Sequence, residues 1–399
     1  MAISDDDART RWHEIWDDLA TKIKDAGDQV IEETSNTLDR DEGLRVIIRD
    51  IRYALERDIE EIDPERPVFA QTTRDIQHLL IDAADYGMFD ARISGRYTYR
   101  ITGQLGAADD IVFMVMGEDP EPAPVSESDD VGQIFALTAG EKDPKPRRMT
   151  GVINGSDLSV DEDGRFEILL GPDEPASGNW LKTDEHSDML LVRNIYFGAY
   201  QDHRRHWPAR LWIECIEGPD RPGPYRSEQL FDGLEQVRAG AGRNSLVRSD
   251  SSRRIARAAV NEFSDDERYW KRTSSNPLTT FHDGYWRLAP GEALVIEADE
   301  LPETSFWSLG LGAYWMESLD FRFHRVNVNS HSVKYGADGS VRLVIADEDP
   351  GVPNWLDAAG HEHGVMLWRW NDPDPLPRLP RTAVVPVADV PDYVSPSGS

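Results

Sequence analysis

A short segment of the sequence concentrates side chains that could exchange protons or hold an anion. It spans residues 200 to 207 and carries Asp202, His203 and Arg204 next to one another. Asp202 and His203 would form a general acid and base pair, and Arg204 could hold a carboxylate, sulfate or phosphate. Solvated corners between strands often have the same composition. The segment is therefore a candidate catalytic loop, and a surface corner is the alternative.

A second candidate is the strand predicted for residues 306 to 314. Because side chains alternate along a strand, one face carries two aromatic walls around three small residues. These five residues are Phe306, Ser308, Gly310, Gly312 and Tyr314. Such a trough would admit a flat ligand such as a sugar ring or a polycyclic molecule. The alternative is that a neighbouring element packs closely on the glycines.

Four histidines near the C-terminus give weaker signals. His324 and His331 are seven residues apart, so they face opposite sides of a straight strand, and a joint metal site would need a bend. We take His331 as a candidate catalytic residue and His324 as a candidate ligand-binding residue. His361 and His363 share a strand face, but a third metal ligand would have to come from elsewhere. The sequence predicts no metal site and no cofactor.

Several reaction classes are excluded by missing motifs. The sequence contains no glycine-rich phosphate loop, no nucleophile elbow and no HExxH helix. Nucleotide hydrolysis, the α/β-hydrolase mechanism and the common zinc proteases are therefore not expected. Whether the protein is an enzyme stays open at this point.

Charge and cysteine usage limit the partners and the compartment. The net charge of -31 would repel nucleic acid and anionic lipid, so neither is an expected partner. Cys215 is the single cysteine, which rules out an internal disulfide and agrees with a reducing compartment. The N-terminus lacks the features of a signal peptide, and no apolar run approaches the ~20 residues of a membrane span. We expect a cytoplasmic protein of undetermined oligomeric state.

The elements that must position these residues change character along the chain. Apolar residues at helical spacing predict a helical segment over residues 1–92, with helices near residues 12–23, 44–62 and 74–86. Short strands and turns follow over residues 93–217. The pattern of residues 218–280 predicts a helical connector, with helices at 227–237 and 253–263. A second β region covers 281–371, and 372–399 read as a proline-rich tail that is extended or mobile.

The two β regions contain the same pattern. A shift of 175 positions places residues 153–186 on residues 328–361 without a gap. Eight identities match, and both copies have a β-rich run after an Asp-Gly turn. The matched pairs are Asn154 with Asn329, Asp163 with Asp338, Gly164 with Gly339, Pro175 with Pro350, Asn179 with Asn354, Trp180 with Trp355, Leu181 with Leu356, and His186 with His361. The sequence therefore predicts a domain duplication, with the shared residues in structural roles.

The ordered motifs of the β regions resemble domain-of-unknown-function family 1214. They are the residues at 95–103, 163–167, 179–181, 191–193 and 208–214, and, in the second region, those at 306–309, 338–340 and 353–356. The resemblance covers residues 95 to 370 and implies jelly-roll-like β-sandwich domains. It implies no settled activity and no catalytic residue. Residues 315–325 depart from the usual pattern, with extra aromatic and charged residues.

The expected architecture is α+β and mainly β, with a helical N-terminal segment followed by two related jelly-roll-like β-sandwich domains. The first functional hypothesis is that an aromatic-lined cleft binds a small carbohydrate or polycyclic molecule and processes it by metal-free acid/base chemistry. The second is a non-catalytic interaction module that uses the N-terminal helices and the acidic surface. An apolar pocket with converging polar groups would favour the first, and a dry exposed helix face the second.

Overall fold

The computed structural model describes most of the chain. The described residues are 5–60, 63–73, 82–120, 147–198, 208–217, 227–241, 243–265 and 279–394. They divide into two compact units: the first comprises residues 1–77, 87–195 and 206–247, and the second comprises residues 78–86, 196–205 and 248–399. Within the described ranges, no helix is long and apolar enough to cross a membrane.

The first unit begins with two long helices, α1 (Asp5–Glu33) and α2 (Thr37–Leu55). The Asn36 side chain caps α2 by accepting a hydrogen bond from the backbone N–H of Asp39. The sequence pattern predicted that α2 begins near Gly43, but Gly43 lies inside the helix. A π-helical turn, Glu56–Glu60, follows directly, so the apolar stripe predicted up to residue 62 is split between two kinds of helix.

A third helix, α3 (Ser227–Gly240), packs on the two N-terminal helices. Trp12 stacks on Phe231 at 3.9 Å between ring centroids, and Ile15 and Leu19 are buried. A Cβ atom at Gly233 would lie 2.1 Å from the backbone oxygen of Asp58, so the close approach of α3 to the π-helical turn requires glycine.

In the part of the chain that the structure describes, nine strands form the sandwich of the first unit. The five-stranded sheet has the order β1-β2-β8-β4-β5, and the four-stranded sheet has the order β7-β6-β3-β9. Their bounds are β1 (Ala70–Gln71), β2 (Tyr86–Arg92), β3 (Tyr99–Gln104), β4 (Asp110–Glu118), β5 (Arg147–Asn154), β6 (Arg165–Gly171), β7 (Asn179–Lys182), β8 (Ser187–Ile195) and β9 (Arg210–Cys215). Alternate residues of both sheets, such as Phe113 and Ile168, meet in one core.

Nine further strands repeat this arrangement in the second unit. The sheet orders are β10-β11-β17-β13-β14 and β16-β15-β12-β18. The strands are β10 (Phe263–Ser264), β11 (Thr279–Arg287), β12 (Glu292–Ala298), β13 (Phe306–Gly312), β14 (Asn327–Asn329), β15 (Val341–Ala346), β16 (Trp355–Asp357), β17 (His363–Asn371) and β18 (Arg381–Pro386). Trp286, Trp307, Trp368 and Trp370 are buried in its core.

The duplication is confirmed by this topology, since each strand from β1 to β9 has a counterpart nine strands later in the same sheet position. The shared residues even make the same bonds. The Trp180 indole N–H donates to the carbonyl oxygen of Gly171 at 3.0 Å, and that of Trp355 donates to Ala346 at 2.9 Å. Both indoles are half-buried, so they tie neighbouring strands together and do not plug a sandwich end.

Other shared residues also have the structural roles that were expected. The Asn179 amide donates to two carbonyl oxygens twelve and twenty residues away, and the Asn354 amide does the same. Gly164 and Gly339 have φ values of 72° and 85°, as an Asp-Gly turn requires. His361 Nδ1 lies 3.0 Å from the backbone oxygen of Ala358, which is the structural role predicted for this histidine.

Three segments differ from the sequence expectation. Residues 86–92 form strand β2 and are not helical, and residues 74–81 lie outside the described part. The helix predicted at 253–263 is α4 (Arg243–Ala258), which begins ten residues earlier. The predicted proline-rich tail contains β18 and a 3-10 helix, Val387–Asp392, because β12 needs an antiparallel partner on its second edge.

Candidate functional site

The face of β13 that carries the small residues is the starting point for a site. Trp307, Leu309 and Leu311 point into the sandwich core, and the alternation places Ser308 and Gly310 on the opposite face of the sheet. Every residue of β13 is buried. The second face is therefore an enclosed layer of the second unit and not an open trough.

Three polar side chains form a row across this layer. Ser308 lies directly opposite Asn329 on β14 and opposite Arg369 on β17. Residues that are paired in this way project from the same face of a sheet, with Cβ atoms about 4.5–5.5 Å apart. Ser308 and Asn329 are almost fully buried, and Arg369 is 8% exposed.

Asp85, from the segment that precedes β2, meets this row. Its Oδ1 accepts hydrogen bonds from the side-chain amides of Asn327 and Asn329, both at 2.8 Å. Burial raises the pKa of Asp85 to about 6, although the amide bonds and the positive charge of Arg369 favour the ionised form. A carboxyl group with this pKa can donate or accept a proton near neutral pH.

Two polar atoms of this site have unused bonding capacity. Oδ2 of Asp85 is buried and has no hydrogen-bond partner among the described residues. Ser308 helps to stabilise the charge of Asp85. Within the described ranges, the Oγ of Ser308 also has no standard hydrogen-bond partner. Buried polar atoms are nearly always paired, so these two atoms make this layer the candidate site of the second unit.

Gly310 leaves space beside the polar row. Among the described residues, a Cβ atom built on it would meet a single atom within 4 Å, Nη1 of Arg369 at 3.9 Å. Gly312 is different, because its Cβ would lie 2.8 Å from Cγ2 of Val365 and 3.0 Å from the backbone oxygen of Glu317. The trough is thus closed by packing at Gly312 and has room at Gly310.

A stack of rings leads from this layer to the surface. Phe306 is buried and lies 5.8 Å from the half-buried Phe197, measured between ring centroids. The exposed His331 stacks on Phe197 at 3.8 Å with parallel planes. Its backbone N–H donates to Oδ1 of Asn329, the same side chain whose amide binds Asp85. His331 therefore lies at the outer end of the site.

The first copy shares two residues of the polar row and differs at the strand between them. Val112 lies between Asn154 and Arg193 in the same pairing that places Ser308 between Asn329 and Arg369. Met114 is the counterpart of Gly310, and it is buried in a cluster of methionine and leucine side chains. Asn154 and Arg193 match Asn329 and Arg369, so what is specific to the second copy is the replacement of Val112 by Ser308 and of Met114 by Gly310.

The chain is similar to a known protein family and to solved structures. The profile of the family described as "Protein of unknown function (DUF1214)" matches residues 139–199 and 277–375. The crystal structure of a putative uncharacterized protein from Burkholderia cenocepacia has 31% sequence identity and a TM-score of 0.81. It covers 96% of this chain, and this chain covers 99% of it. The chain belongs to the DUF1214 family.

A second crystal structure, of a Vibrio parahaemolyticus protein, has 11% identity and a TM-score of 0.46, with 85% of this chain and 96% of the other covered. A search of curated proteins finds no match. The second segment matched by the DUF1214 profile contains β13, β14 and β17, so most of the polar row lies in the part that defines the family. Asp85 and Phe197 do not belong to that segment.

The remaining predicted residues of this DUF1214 protein were not found in the polar row. Asp202, His203 and Arg204 are outside the described residues. Tyr314 does not form the second aromatic wall, because β13 ends at Gly312 and Tyr314 lies in the turn that follows. Its hydroxyl accepts a hydrogen bond from Arg253 at 3.2 Å. His324 pairs with Asp357 and is not among the contacts of the polar row.

Sequence reasoning missed four residues of the site. Asn327 and Arg369 lie on predicted strands but carried no motif, and Asn329 was assigned a structural role because it matches Asn154. Asp85 was placed in a predicted helix. One available signal was Gly310 itself, since a glycine inside a strand often marks a close approach or a ligand; only the structure pairs it with Met114 of the first copy.

Metal ligation is a separate question. In the ranges that the structure describes, no three or more His, Cys, Asp or Glu side chains are grouped closely enough to hold a metal ion. Asp85, Asn327 and the polar row together contribute one carboxylate, two amides, a hydroxyl and a guanidinium. A guanidinium has no acceptor atom and carries a positive charge, so this donor set suits an organic ligand better than a cation.

The buried carboxyl of Asp85 predicts a specific pH dependence of stability. The pKa of Asp85 in the folded protein lies above its ordinary value of 3.8, so folding favours the protonated carboxyl. The contribution of Asp85 to stability is therefore complete below pH 3.8 and is lost as the pH rises through about 6. Asp85→Asn removes this loss. The free energy of unfolding of the variant, relative to the parent, should rise by about 3 kcal/mol between pH 4 and pH 7.

Urea denaturation at pH 4, 5.5 and 7 measures this difference. The exposed Asp173 provides the matched control, and Asp173→Asn should track the parent protein across the range. A difference between Asp85→Asn and the parent that stays constant with pH would show that the Asp85 carboxyl is not destabilised by burial.

Proposed function

We propose that the polar layer of the second sandwich binds a small polyhydroxylated molecule, with a carbohydrate as the substrate class. The observation that carries this proposal is the combination of a buried carboxylate oxygen, for which the described residues supply no partner, and the space at Gly310. Sugar hydroxyl groups donate to a carboxylate and accept from amides and guanidinium groups. A site of this composition offers both kinds of partner within one enclosed space.

The polar character of the layer favours a carbohydrate over a polycyclic molecule. A polycyclic hydrocarbon would cover Asp85 and Ser308 without bonding to them, and each buried unpaired polar group costs about 1–3 kcal/mol or more. The aromatic stack of Phe306, Phe197 and His331 supplies apolar contact for the ring carbons of a sugar at the outer end.

We further propose that the site processes the bound molecule by acid/base chemistry. Asp85, with its pKa of about 6, is the candidate proton-transfer group, and His331 is the candidate second group. The single cysteine favours the cytoplasm as the compartment. Free sugars and sugar acids are available there as ligands.

Isothermal calorimetry with defined probes tests the proposal. The probes are glucose and xylose as neutral sugars, glucuronate as a sugar acid that could also pair with Arg369, and naphthalene as a polycyclic compound. We expect at least one sugar to bind the parent protein. Asp85→Asn should weaken that binding by roughly 10- to 100-fold, since a hydrogen bond to a charged group is worth about 1.5–3 kcal/mol.

Gly310→Met is the second test variant, because it restores the residue type of the first copy and fills the space beside Arg369. It should abolish sugar binding. Ser340→Ala, which changes an exposed turn hydroxyl of the same unit, is the control and should bind as the parent does. Binding of naphthalene alone, or sugar binding that survives both site variants, would contradict the proposal.

A further inference from the structure

A second polar pair on the same sandwich is not used by the proposed carbohydrate site. Nδ1 of His324 lies 2.7 Å from Oδ2 of Asp357. The His324 side chain is 40% exposed and that of Asp357 is 18% exposed. An imidazole that is oriented by a carboxylate and reaches solvent is the arrangement that hydrolases use for a general base.

The carboxylate of this pair is itself held in place. Oδ1 of Asp357 accepts a hydrogen bond from the backbone N–H of Ala359 at 2.7 Å. The backbone N–H of Asp357 donates to the carbonyl oxygen of Arg325 at 2.8 Å, which ties the strand to the residue after His324. Ala359 has a φ of 53°, a strained conformation for a residue other than glycine. Strain of this kind often marks a functional site.

The repeat shows that the sandwich does not need a carboxylate at this position. Asp357 pairs with Ala346 in the second copy, and Lys182 pairs with Gly171 in the first. Gly171 and Ala346 are equivalent, so Lys182 occupies the position of Asp357. The pair of His324 and Asp357 is thus an addition to the second copy, and the stability of the common fold does not explain it.

An aromatic ring lies next to the imidazole along the chain. Phe323 is 68% exposed, which is unusual for a phenylalanine. The Arg322 guanidinium lies 5.2 Å from the centre of the ring and is itself held by both carboxylate oxygens of Asp320, at 2.8 and 2.7 Å. Phe323 and the fixed Arg322 therefore offer a surface on which the ring of a small molecule can rest.

We propose that His324 is the general base of a hydrolytic site for esters of ring-bearing alcohols, with Asp357 as its positioning residue and Phe323 as the platform for the ring. Nε2 of His324 takes a proton from a water molecule while the water oxygen bonds to the ester carbonyl carbon. The bond between that carbon and the alcohol oxygen then breaks. The departing oxygen takes the proton back from the imidazolium, so one water and one ester give one acid and one alcohol.

Steady-state hydrolysis by the full-length protein tests this site. The probes are benzyl acetate and 2-phenylethyl acetate, which carry a ring, and ethyl acetate, which does not; the alcohols of all three are similarly poor leaving groups. We expect the two ring-bearing esters to be hydrolysed faster than ethyl acetate. His324→Ala should lower kcat roughly 100-fold or more, because general acid–base catalysis contributes about 10²- to 10⁴-fold, and added imidazole should restore part of the rate.

Two further variants separate catalysis from structure. Asp357→Asn should lower kcat and leave KM unchanged, while Phe323→Ala should mainly raise KM. His13→Gln, at an exposed histidine of α1, is the control for unspecific hydrolysis by surface imidazoles and should retain the parent rate. Circular dichroism checks the fold of each variant. Equal rates in the parent and His324→Ala, or no hydrolysis of any of the three esters above the buffer rate, would overturn the proposal.

Discussion

Replacing Arg248 by methionine is expected to lower the free energy of unfolding by about 3–5 kcal/mol. Arg248 lies on α4 and is fully buried, and its Nη1 is 3.1 Å from Oε1 of Glu317, which is 5% exposed. Methionine fills much of the same volume but leaves the Glu317 carboxylate buried without this cation. Urea denaturation followed by tryptophan fluorescence at pH 7 measures the change.

A second substitution distinguishes the lost charge from lost packing. Arg248→Met combined with Glu317→Gln should recover at least half of the loss, because an amide is less costly to bury than an unpaired carboxylate. Arg165→Met, which breaks an exposed pair with Asp163, is the control and should change stability by about 1 kcal/mol or less. A loss below 1 kcal/mol for Arg248→Met would mean that the buried pair contributes little.

Gly312→Val is expected to destabilise the protein by about 1–3 kcal/mol or more, because the interior is already filled at this position. The first carbon of the new side chain would lie 2.8 Å from Cγ2 of Val365 and 3.0 Å from a backbone oxygen, so neighbouring atoms must shift. Differential scanning calorimetry would show this as a lower melting temperature.

Gly310→Ala is the matched control for Gly312→Val. Its new methyl group meets only Nη1 of Arg369, at an ordinary contact distance of 3.9 Å, so the melting temperature should stay close to that of the parent. If Gly312→Val and Gly310→Ala destabilise the protein equally, the space assigned to Gly310 is not present. If neither does, the packing at Gly312 is looser than the structure indicates.

Much of the fold follows from local patterns. Turn chemistry and strand alternation repeat at a constant spacing, so the shift of 175 positions aligned Trp180 with Trp355 and predicted a duplicated sandwich. The assignment of Trp307 and Leu309 to the core face of β13 needed nothing beyond the period of two along a strand. These features are short-range, and each is encoded within a few residues.

The helix α4 shows where local patterns fail. Its first half is rich in serine, arginine and aspartate, which favour loops on propensity alone. Arg248, Ser249, Ser251 and Ser252 are nevertheless buried. Their bonding partners come from distant strands and turns, such as Glu317, sixty-nine residues later. Tertiary hydrogen bonds therefore stabilise a helix whose apolar pattern predicted a start ten residues too late.

The composition of the candidate site was decided only by the tertiary structure. The sequence by itself determined the duplication, the alternation along β13 and the presence of Ser308 and Gly310 on its second face. It carried no sign that Asp85, 244 residues before Asn329, would complete that face. Contacts at such a separation leave no periodic trace in a single chain, because they depend on which segment packs over the sheet and not on local backbone geometry.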